Sequence, residues 1–328
     1  MPRRHRDVVV IGTSAGGLET LDTLLGQLVG GLPAALFLVQ HLSPDSSGEG
    51  LVARFGRHAA FHCKLAEDGE RFHRGGLYIA PPDHHLLVKE RTLCVTRGAR
   101  ENRHRPAIDP ALRSAAVSHG PRVIGVVLTG MLDDGSAGLQ AVKRCGGVTV
   151  VQDPKDAEYP DMPANALRAV KVDHCLPLAR MGPLLETLTH EPAGKARPVP
   201  RDLRVEAEIA EKVLSDISEA ESLGTRMPYG CPSCGGPLWE MRSEGPERFR
   251  CHTGHAFTAG SLLAAQADKI DESLWVTLRQ LEERRNLLLR MAGEEKHTHN
   301  KRYYSDKASE TSRHIKRVRK MLLAPRVS

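Results

Sequence analysis

Residues Asp7 to Gly17 have the sequence DVVVIGTSAGG, which gives the clearest indication of the fold. Its run of Val and Ile predicts a buried strand, and the glycines that follow predict a tight turn into a helix. Such a turn exposes the hydroxyl of Ser14 beside the backbone N–H groups of a helix N-terminus. A strand followed in this way by a helix is typical of parallel α/β sheets.

The same pattern continues to about residue 190, where short Val/Ile/Leu-rich runs alternate with amphipathic stretches. This alternation predicts an α/β fold with a doubly wound, mostly parallel sheet. Its predicted strands are Val8–Ile11, Ala35–Val39, Leu77–Ala80, Leu93–Thr96, Val123–Leu128 and Val148–Gln152.

The rest of the chain predicts three further segments. Residues 191–225 combine a Pro/Gly-rich linker with a polar helix from Leu203 to Leu223, and residues 226–260 contain three clustered cysteines. Residues 261–328 begin with Leu and Ile at three- and four-residue steps, which predicts a long amphipathic helix. We expect Trp275 and Leu278 to be buried where this helix packs against another. A basic tail follows the helix.

Composition limits the class of protein. No apolar run approaches the roughly 20 residues that span a bilayer, and the start MPRRHRD lacks the apolar region of a secretory signal. Seven cysteines, an odd number, suit a reduced cytoplasm and a metal site better than a disulfide scaffold. The net charge of +6 comes from residues 295–328, with ten Lys/Arg and three Asp/Glu. This basic tail lacks a recognised nucleic-acid-binding motif, so nucleic-acid binding is not favoured.

A serine, a histidine and an aspartate, the side chains of a serine-esterase triad, each come shortly after a predicted strand. Ser14 follows the first strand, His41 the second, and Asp133 and Asp134 come after Val123–Leu128. The carboxyl ends of parallel strands share one crevice, where a histidine can take the serine proton and a carboxylate can orient the histidine. The pattern alone does not separate Asp133 from Asp134.

Two other nucleotide- or ester-binding folds fit less well. Gly12 to Gly17 does not match the G-x-G-x-x-G dinucleotide pattern, and Gln40-His41 stands where that fold needs an acidic residue. The α/β-hydrolase fold has its triad in the order Ser, Asp, His, whereas the order here is Ser, His, Asp.

The cysteine segment predicts a zinc-ribbon-like metal site. Cys231 and Cys234 form a C-x-x-C knuckle, and Cys251 with His255 can complete a tetrahedron. His252 competes with His255 for the fourth place, but it directly follows Cys251. Four reduced side chains without metal are the alternative to a structural zinc.

Six motifs give the first 190 residues a close resemblance to a known family. In order, they are IGTSAGG (11–17), VQHL (39–42), YIAPPDHHL (78–86), RPAIDPALRSAA (105–116), LTGMLDDGSAG (128–138) and MPANAL (162–167). They resemble the catalytic domain of the protein-glutamate methylesterase of bacterial chemotaxis, the CheB-type family. This resemblance implies a catalytic domain over residues 1–190.

The resemblance also implies roles for individual residues. Ser14 would be the nucleophile, His41 the base, Asp134 the aspartate and the Met131 backbone N–H an oxyanion donor. Ala15 stands where relatives commonly have Thr, so a side-chain hydrogen bond from that position is lost. No receiver domain is expected ahead of Val8, which leaves regulation by phosphorylation in cis absent.

The function implied is hydrolysis of glutamate γ-methyl esters through an acyl-enzyme, with deamidation of glutamine as a related reaction. The expected substrate is a methylated chemoreceptor or another methylated signalling protein, and a methyltransferase or helical protein is an expected partner. No catalytic cofactor is needed. The alternative is a non-catalytic scaffold that binds a signalling partner through its C-terminal half.

Overall fold

The computed structural model describes residues 5–28, 30–58, 60–212, 217–242 and 247–324. The chain divides into two compact units, Met1–Leu262 and Leu263–Ser328. The strands of the first 190 residues are β1 (Val8–Thr13), β2 (Ala35–Gln40), β3 (His62–Leu65), β4 (Gly76–Ile79), β5 (His85–Val88), β6 (Leu93–Thr96), β7 (Val123–Val127), β8 (Val148–Gln152) and β9 (His174–Leu176). The helices there are α1 (Gly17–Gln27), α2 (Glu49–Phe55), α3 (Ile108–His119), α4 (Ser136–Arg144), α5 (Asp161–Ala169) and α6 (Met181–His190).

Within the described residues, seven strands form the main sheet in the order β3-β4-β2-β1-β7-β8-β9. Every neighbouring pair in it is parallel. Strand β1 lies between β2 and β7, so the chain winds to one side of β1 and then to the other. The carboxyl ends of these three strands therefore border one crevice, as in other doubly wound sheets.

The central strand is buried on both faces. Val8 and Val10 belong to one apolar cluster, with residues of α3, α4 and α5. Val9 and Ile11 belong to a second cluster, with residues of α1, α2 and α6. The continuous Val/Ile run is explained by this burial, because strands covered on both faces lose the polar alternation of half-exposed strands.

The placement of Leu93–Thr96 in the parallel sheet is wrong. These residues form β6, which pairs antiparallel with β5 in a separate two-stranded sheet. Only residues 89–92 connect the two strands, and a parallel crossover needs a dozen residues or more.

The remainder of the first unit, after residue 190, packs against α3 and β6. It contains α7 (Arg201–Lys212), α8 (Ile217–Leu223), β10 (Gly224–Gly230), β11 (Pro237–Met241), β12 (Arg248–Cys251) and β13 (Ala256–Thr258). Strands β10 to β13 form an antiparallel sheet in chain order, and α7 packs against α3. The predicted helix Leu203–Leu223 thus corresponds to α7 and α8, and its residues 213–216 lie outside the described ranges.

Two long helices make up most of the second unit. They are α9 (Ala259–Glu294), which starts within the first unit, and α10 (Thr298–Leu322). Leu278 is buried as predicted, but the core position predicted for Trp275 is wrong, since its side chain is 61% exposed. Among the helices that the structure describes, none has the length and apolar character needed to cross a bilayer.

Candidate active site and metal centre

Ser14 lies in the turn between β1 and α1, where contacts from both neighbouring strands hold its backbone. Its N–H donates to the carbonyl of Thr129, 3.1 Å away, at the end of β7. Its carbonyl accepts from the Gln40 side chain at the end of β2, at 2.9 Å, and from the N–H of Gly17 at 3.0 Å. The strand ends therefore fix the position of the serine within the crevice.

The structure brings Ser14, His41 and Asp134 into one hydrogen-bonded chain. The Nδ1 of His41 lies 3.0 Å from Ser14 Oγ, and its Nε2 lies 2.7 Å from Asp134 Oδ2. A neutral ring with its proton on Nε2 can donate to Asp134 and leave Nδ1 to accept from the serine. Asp133 faces elsewhere, because its Oδ2 accepts a 2.5 Å hydrogen bond from Thr258 Oγ1.

The Asp134 carboxylate is buried, and backbone N–H groups surround it. Oδ2 accepts from the N–H of Ile108 at 2.7 Å, and Oδ1 accepts from the N–H groups of Asp109 and Gly135 at 3.2 and 3.0 Å. Ile108 and Asp109 begin α3, whose N-terminus favours an anion. Burial alone would raise the pKa of Asp134. The hydrogen bond from His41 and those from Ile108 and Asn102 outweigh burial, so the pKa lies below its ordinary value of 3.8. The carboxylate is therefore ionised at neutral pH.

His104 covers one face of the His41 ring. The two rings are nearly parallel, with centroids 3.7 Å apart. Burial, followed by the charge of His41, lowers the pKa of His104 to about 4. His104 is therefore neutral at physiological pH and shields His41 from solvent without adding a charge.

The loop of Met131 lies against Ser14. A Cβ added to Gly130 would come within 2.9 Å of Ser14 Cβ and 2.1 Å of Met162 Sδ. Both backbone polar groups of Gly130 are hydrogen-bonded. Its N–H donates to the carbonyl of Tyr159, and its carbonyl accepts from the N–H of Met162. This close approach places the Gly130 backbone, which precedes Met131, beside the nucleophile.

The pattern of matches to known proteins agrees with this geometry. The sequence model of the family described as CheB methylesterase matches residues 9–185, more than half of the chain. The chain belongs to the CheB methylesterase family. The matched residues include the whole parallel sheet except Val8, the first residue of β1. They also include Ser14, His41, Asp134 and the residues described above as their neighbours.

Individual relatives resemble the same part of the chain. A Leptospira interrogans protein, provisionally named protein-glutamate methylesterase/protein-glutamine glutaminase, is 37% identical over 179 residues, or 54% of this chain and 92% of that protein. Protein-glutamate methylesterase/protein-glutamine glutaminase 2 of Methanosarcina mazei is 34% identical over 54% of this chain and 50% of that protein. The crystal structure of the Thermotoga maritima CheB methylesterase catalytic domain matches with a TM-score of 0.53 and 33% identity, covering 56% of this chain and 98% of that one.

A second cluster of polar side chains lies in the antiparallel sheet. The ligand atoms of Cys231, Cys234, Cys251 and His255 all lie within 4.8 Å of one another. Cys234 Sγ and Cys251 Sγ are 3.8 Å apart, and Cys251 Sγ and His255 Nδ1 are 3.4 Å apart. These separations match the edges of a tetrahedron whose ligands lie about 2.0–2.3 Å from a central ion. Three thiols and one imidazole therefore fit a metal ion, and His255 supplies the nitrogen of this group.

Sequence reasoning missed two side chains at the site, His104 and Asn102. The Nδ2 of Asn102 donates to Asp134 Oδ1 at 2.9 Å and to Asp109 Oδ2 at 2.8 Å. Both residues lie in the irregular segment before α3, where no periodicity marks an inward-facing position. The one local signal is a loop Asn, a residue type that tolerates the left-handed backbone which Asn102 adopts, with φ 49°.

Proposed function

We propose that this CheB-family chain hydrolyses γ-methyl esters of glutamate side chains in proteins and releases methanol. The observation that carries the proposal is the hydrogen-bonded chain Ser14–His41–Asp134 at the carboxyl ends of β1, β2 and β7. The names of the relatives support the substrate class, since they describe protein-glutamate methylesterases.

In the first half of the proposed reaction, Ser14 Oγ attacks the ester carbonyl while His41 Nδ1 takes the serine proton. Asp134 stabilises the resulting imidazolium through the hydrogen bond to Nε2. The tetrahedral intermediate then breaks its bond to the methoxy oxygen, which receives the proton from His41 and leaves as methanol. The product is a glutamyl ester of Ser14.

In the second half, water attacks the acyl-enzyme and gives a proton to His41. Ser14 leaves with that proton, and the glutamate carboxylate is released. The oxyanion of each tetrahedral intermediate is assigned to the Met131 backbone N–H, and one such donor contributes about 3–4 kcal/mol. These steps use protein groups and water, so they need no catalytic cofactor.

The same residues support deamidation of protein glutamine. An amide presents the same carbonyl to Ser14, and protonation by His41 lets ammonia leave in place of methanol. Both reactions end at a glutamate side chain. The double names of the relatives, methylesterase and glutaminase, support this pairing.

We further propose a methylated chemoreceptor, or another methylated signalling protein, as substrate, with a methyltransferase as the source of its esters. Zinc is the proposed ion for Cys231, Cys234, Cys251 and His255, because it prefers tetrahedral sulfur and nitrogen ligands. Its role would be structural, since four protein ligands close its coordination and join β10–β11 to β12–β13.

A scaffold function is the second candidate, and one observation favours it. Several large apolar side chains of α9 are exposed, namely Leu263, Ile270, Trp275, Val276, Leu287 and Leu289. Exposed apolar surface of this kind marks contact sites for other proteins. A helical protein that binds α9 would suit either function.

Hydrolysis separates the two candidates. A receptor-type protein with labelled glutamate methyl esters should lose its label as methanol with the wild type and keep it with Ser14→Ala. A scaffold would release no methanol and would bind its partner equally well after Ser14→Ala.

A further inference from the structure

Asn102 connects the carboxylate of Asp134 with the C-terminal part of the first unit. Its Nδ2 contacts two carboxylates, those of Asp134 and Asp109, and its Oδ1 accepts from the N–H of Thr258 and from Ser261 Oγ, both at 3.2 Å. Acceptors on one side and donors on the other fix the orientation of the amide. The side chain is buried, so water does not compete for these bonds.

Thr258 and Ser261 lie where β13 meets α9, beyond the residues 9–185 that match the family. Besides holding Asn102, this corner contacts the residue before Asp134, because Thr258 Oγ1 donates to Asp133 Oδ2. A Cβ added to Gly260 would lie 3.1 Å from the same oxygen. The corner therefore packs directly on the loop that carries Asp134.

The backbone of Asn102 also depends on this contact. Asn102 and Arg103 have φ values of 49° and 73°, in the left-handed region that most residues avoid. The Asn102 N–H donates to the carbonyl of Ala256 at 2.8 Å, and Glu101 forms a parallel bridge with Ala256. Strand β13 thus helps to hold a segment whose own preferences favour other conformations.

Buried ion pairs join the same surfaces. Glu101 accepts from Arg113 of α3 at 2.7 and 2.8 Å and from Arg250 of β12 at 2.9 Å. Glu206 of α7 pairs with Arg248 of β12 at 2.5 Å and with Arg113 at 3.2 Å. All five residues are at most 5% exposed. A charge buried to this extent is strongly destabilising without its partner. These ion pairs therefore fix the position of the C-terminal extension, residues 191–262, against the part of the chain that matches the family.

We infer that Asn102 is a positioning residue for Asp134, and that Thr258 and Ser261 of the C-terminal extension hold Asn102 in place. The activity readout rests on the proposed function, but the positioning itself does not. Ser261 Oγ contacts Asn102 Oδ1 directly, whereas Thr258 Oγ1 acts one step away, because it contacts Ser261 Oγ at 3.0 Å and Asp133 Oδ2. Without these hydroxyl groups, the Asn102 Oδ1 keeps only the Thr258 N–H as donor, and the amide can turn away from Asp134 Oδ1. The carboxylate then keeps its backbone donors but loses its side-chain hydrogen bond from Asn102, one of the bonds that direct Oδ2 toward His41.

The experiment uses the full chain with Thr258→Val, Ser261→Ala and both together. Thr258→Ser retains the hydroxyl and is the conservative variant. Thr277→Val is the matched control, because its hydroxyl bonds only within α9, to the Ser273 carbonyl. Thermal unfolding establishes that each variant is folded, and Ser261→Ala alone tests the same bond if the double variant does not fold.

Three quantities are measured for each folded variant. They are kcat and KM for methanol release, the rate at which a fluorophosphonate labels Ser14, and the low-field proton resonance of His41 Nε2–H. We expect the double variant to lower kcat and the labelling rate by roughly tenfold to a hundredfold, a range typical of misplaced catalytic groups. KM should stay near the wild-type value, and the low-field resonance should shift or broaden. Thr258→Ser, which retains the hydroxyl, should behave like the wild type.

The inference is overturned if folded double and Ser261→Ala variants keep the wild-type labelling rate and an unchanged low-field resonance. It is also overturned if Thr277→Val has effects as large as theirs. Labelling and the resonance need no methyl ester, so they test the positioning even if wild type releases no methanol. That last result would contradict the proposed function alone.

Discussion

The imidazole of His104 lies parallel to that of His41, with ring centroids 3.7 Å apart and 13° between the ring planes. The stacked ring is neutral at physiological pH, because burial lowers the pKa of His104 to about 4. A neutral aromatic ring on an imidazole excludes water and tolerates the positive charge that His41 would gain during turnover.

The first prediction concerns stability and pH. The folded-state pKa of His104 lies below the ordinary value of 6.5, so its contribution to the free energy of unfolding is present above pH 6.5 and lost as the pH falls toward 4. His104→Phe keeps a flat ring that does not titrate. Between about pH 7 and pH 4.5, the free energy of unfolding of the wild type should fall by about 2 kcal/mol more than that of the variant, as measured by urea unfolding.

Wild type and His104→Phe share the other buried histidines, such as His85 and His119. The difference between their losses of unfolding free energy therefore reports on His104 alone. Equal losses in wild type and His104→Phe would show that protonation of His104 is not coupled to unfolding.

The second prediction concerns the tautomer of His41. Because Asp134 Oδ2 lies 2.7 Å from Nε2 and Ser14 Oγ lies 3.0 Å from Nδ1, the proton of the neutral ring should be on Nε2. Long-range proton–nitrogen correlation spectra of labelled protein distinguish the two tautomers. Asp134→Asn should change the Nε2 signal most, and a wild-type ring with its proton on Nδ1 would contradict the geometry.

The third prediction concerns the close contact at Gly130. In Gly130→Ala, the new methyl group would meet Met162 Sδ and Ser14 Cβ at distances that force one of them to move. We expect kcat to fall by about a hundredfold, the scale of a nucleophile displaced by about 1 Å. Gly50→Ala is the control, since a Cβ there meets nothing within 4 Å. Similar activities of the two variants would mean that the loop adjusts without cost.

The fourth prediction concerns the metal. Purified protein should contain about one zinc ion per chain, as a closed four-ligand site requires. Cys231→Ser should abolish stoichiometric zinc and lower the thermal midpoint by about 5 °C or more. Cys175→Ser is the control, because Cys175 is exposed and lies outside the cluster. The four side chains bind no structural ion if purified wild type contains no zinc and if Cys231→Ser unfolds at the same thermal midpoint as wild type.

Local sequence signals were sufficient for strands β1, β2, β4, β7 and β8 of the main sheet, but not for its edge strands β3 and β9. They were also sufficient for the approach of Ser14 to His41. Each follows a strand of β-branched and apolar residues, and parallel topology brings those strand ends together. Position in the sequence could not separate Asp133 from Asp134. The two differ in partners supplied from elsewhere in the chain, the imidazole of His41 for one and the hydroxyl of Thr258 for the other.

The contact of the C-terminal extension with the active site was beyond sequence reasoning for a related physical cause. Glu101, Glu206 and Arg250 are far apart along the chain, and none occupies a periodic apolar position. Charged residues are expected at the surface unless their partners are known. Only the folded chain shows that these charges are buried and paired.

The most direct test of the proposed esterase compares methanol release from a methylated receptor-type protein by wild type, Ser14→Ala, Asp134→Asn and Asp133→Asn. We predict release by wild type, a loss of at least about a thousandfold for Ser14→Ala and Asp134→Asn, and a much smaller loss for Asp133→Asn. Unchanged release by folded Ser14→Ala, or a loss confined to Asp133→Asn, would contradict it.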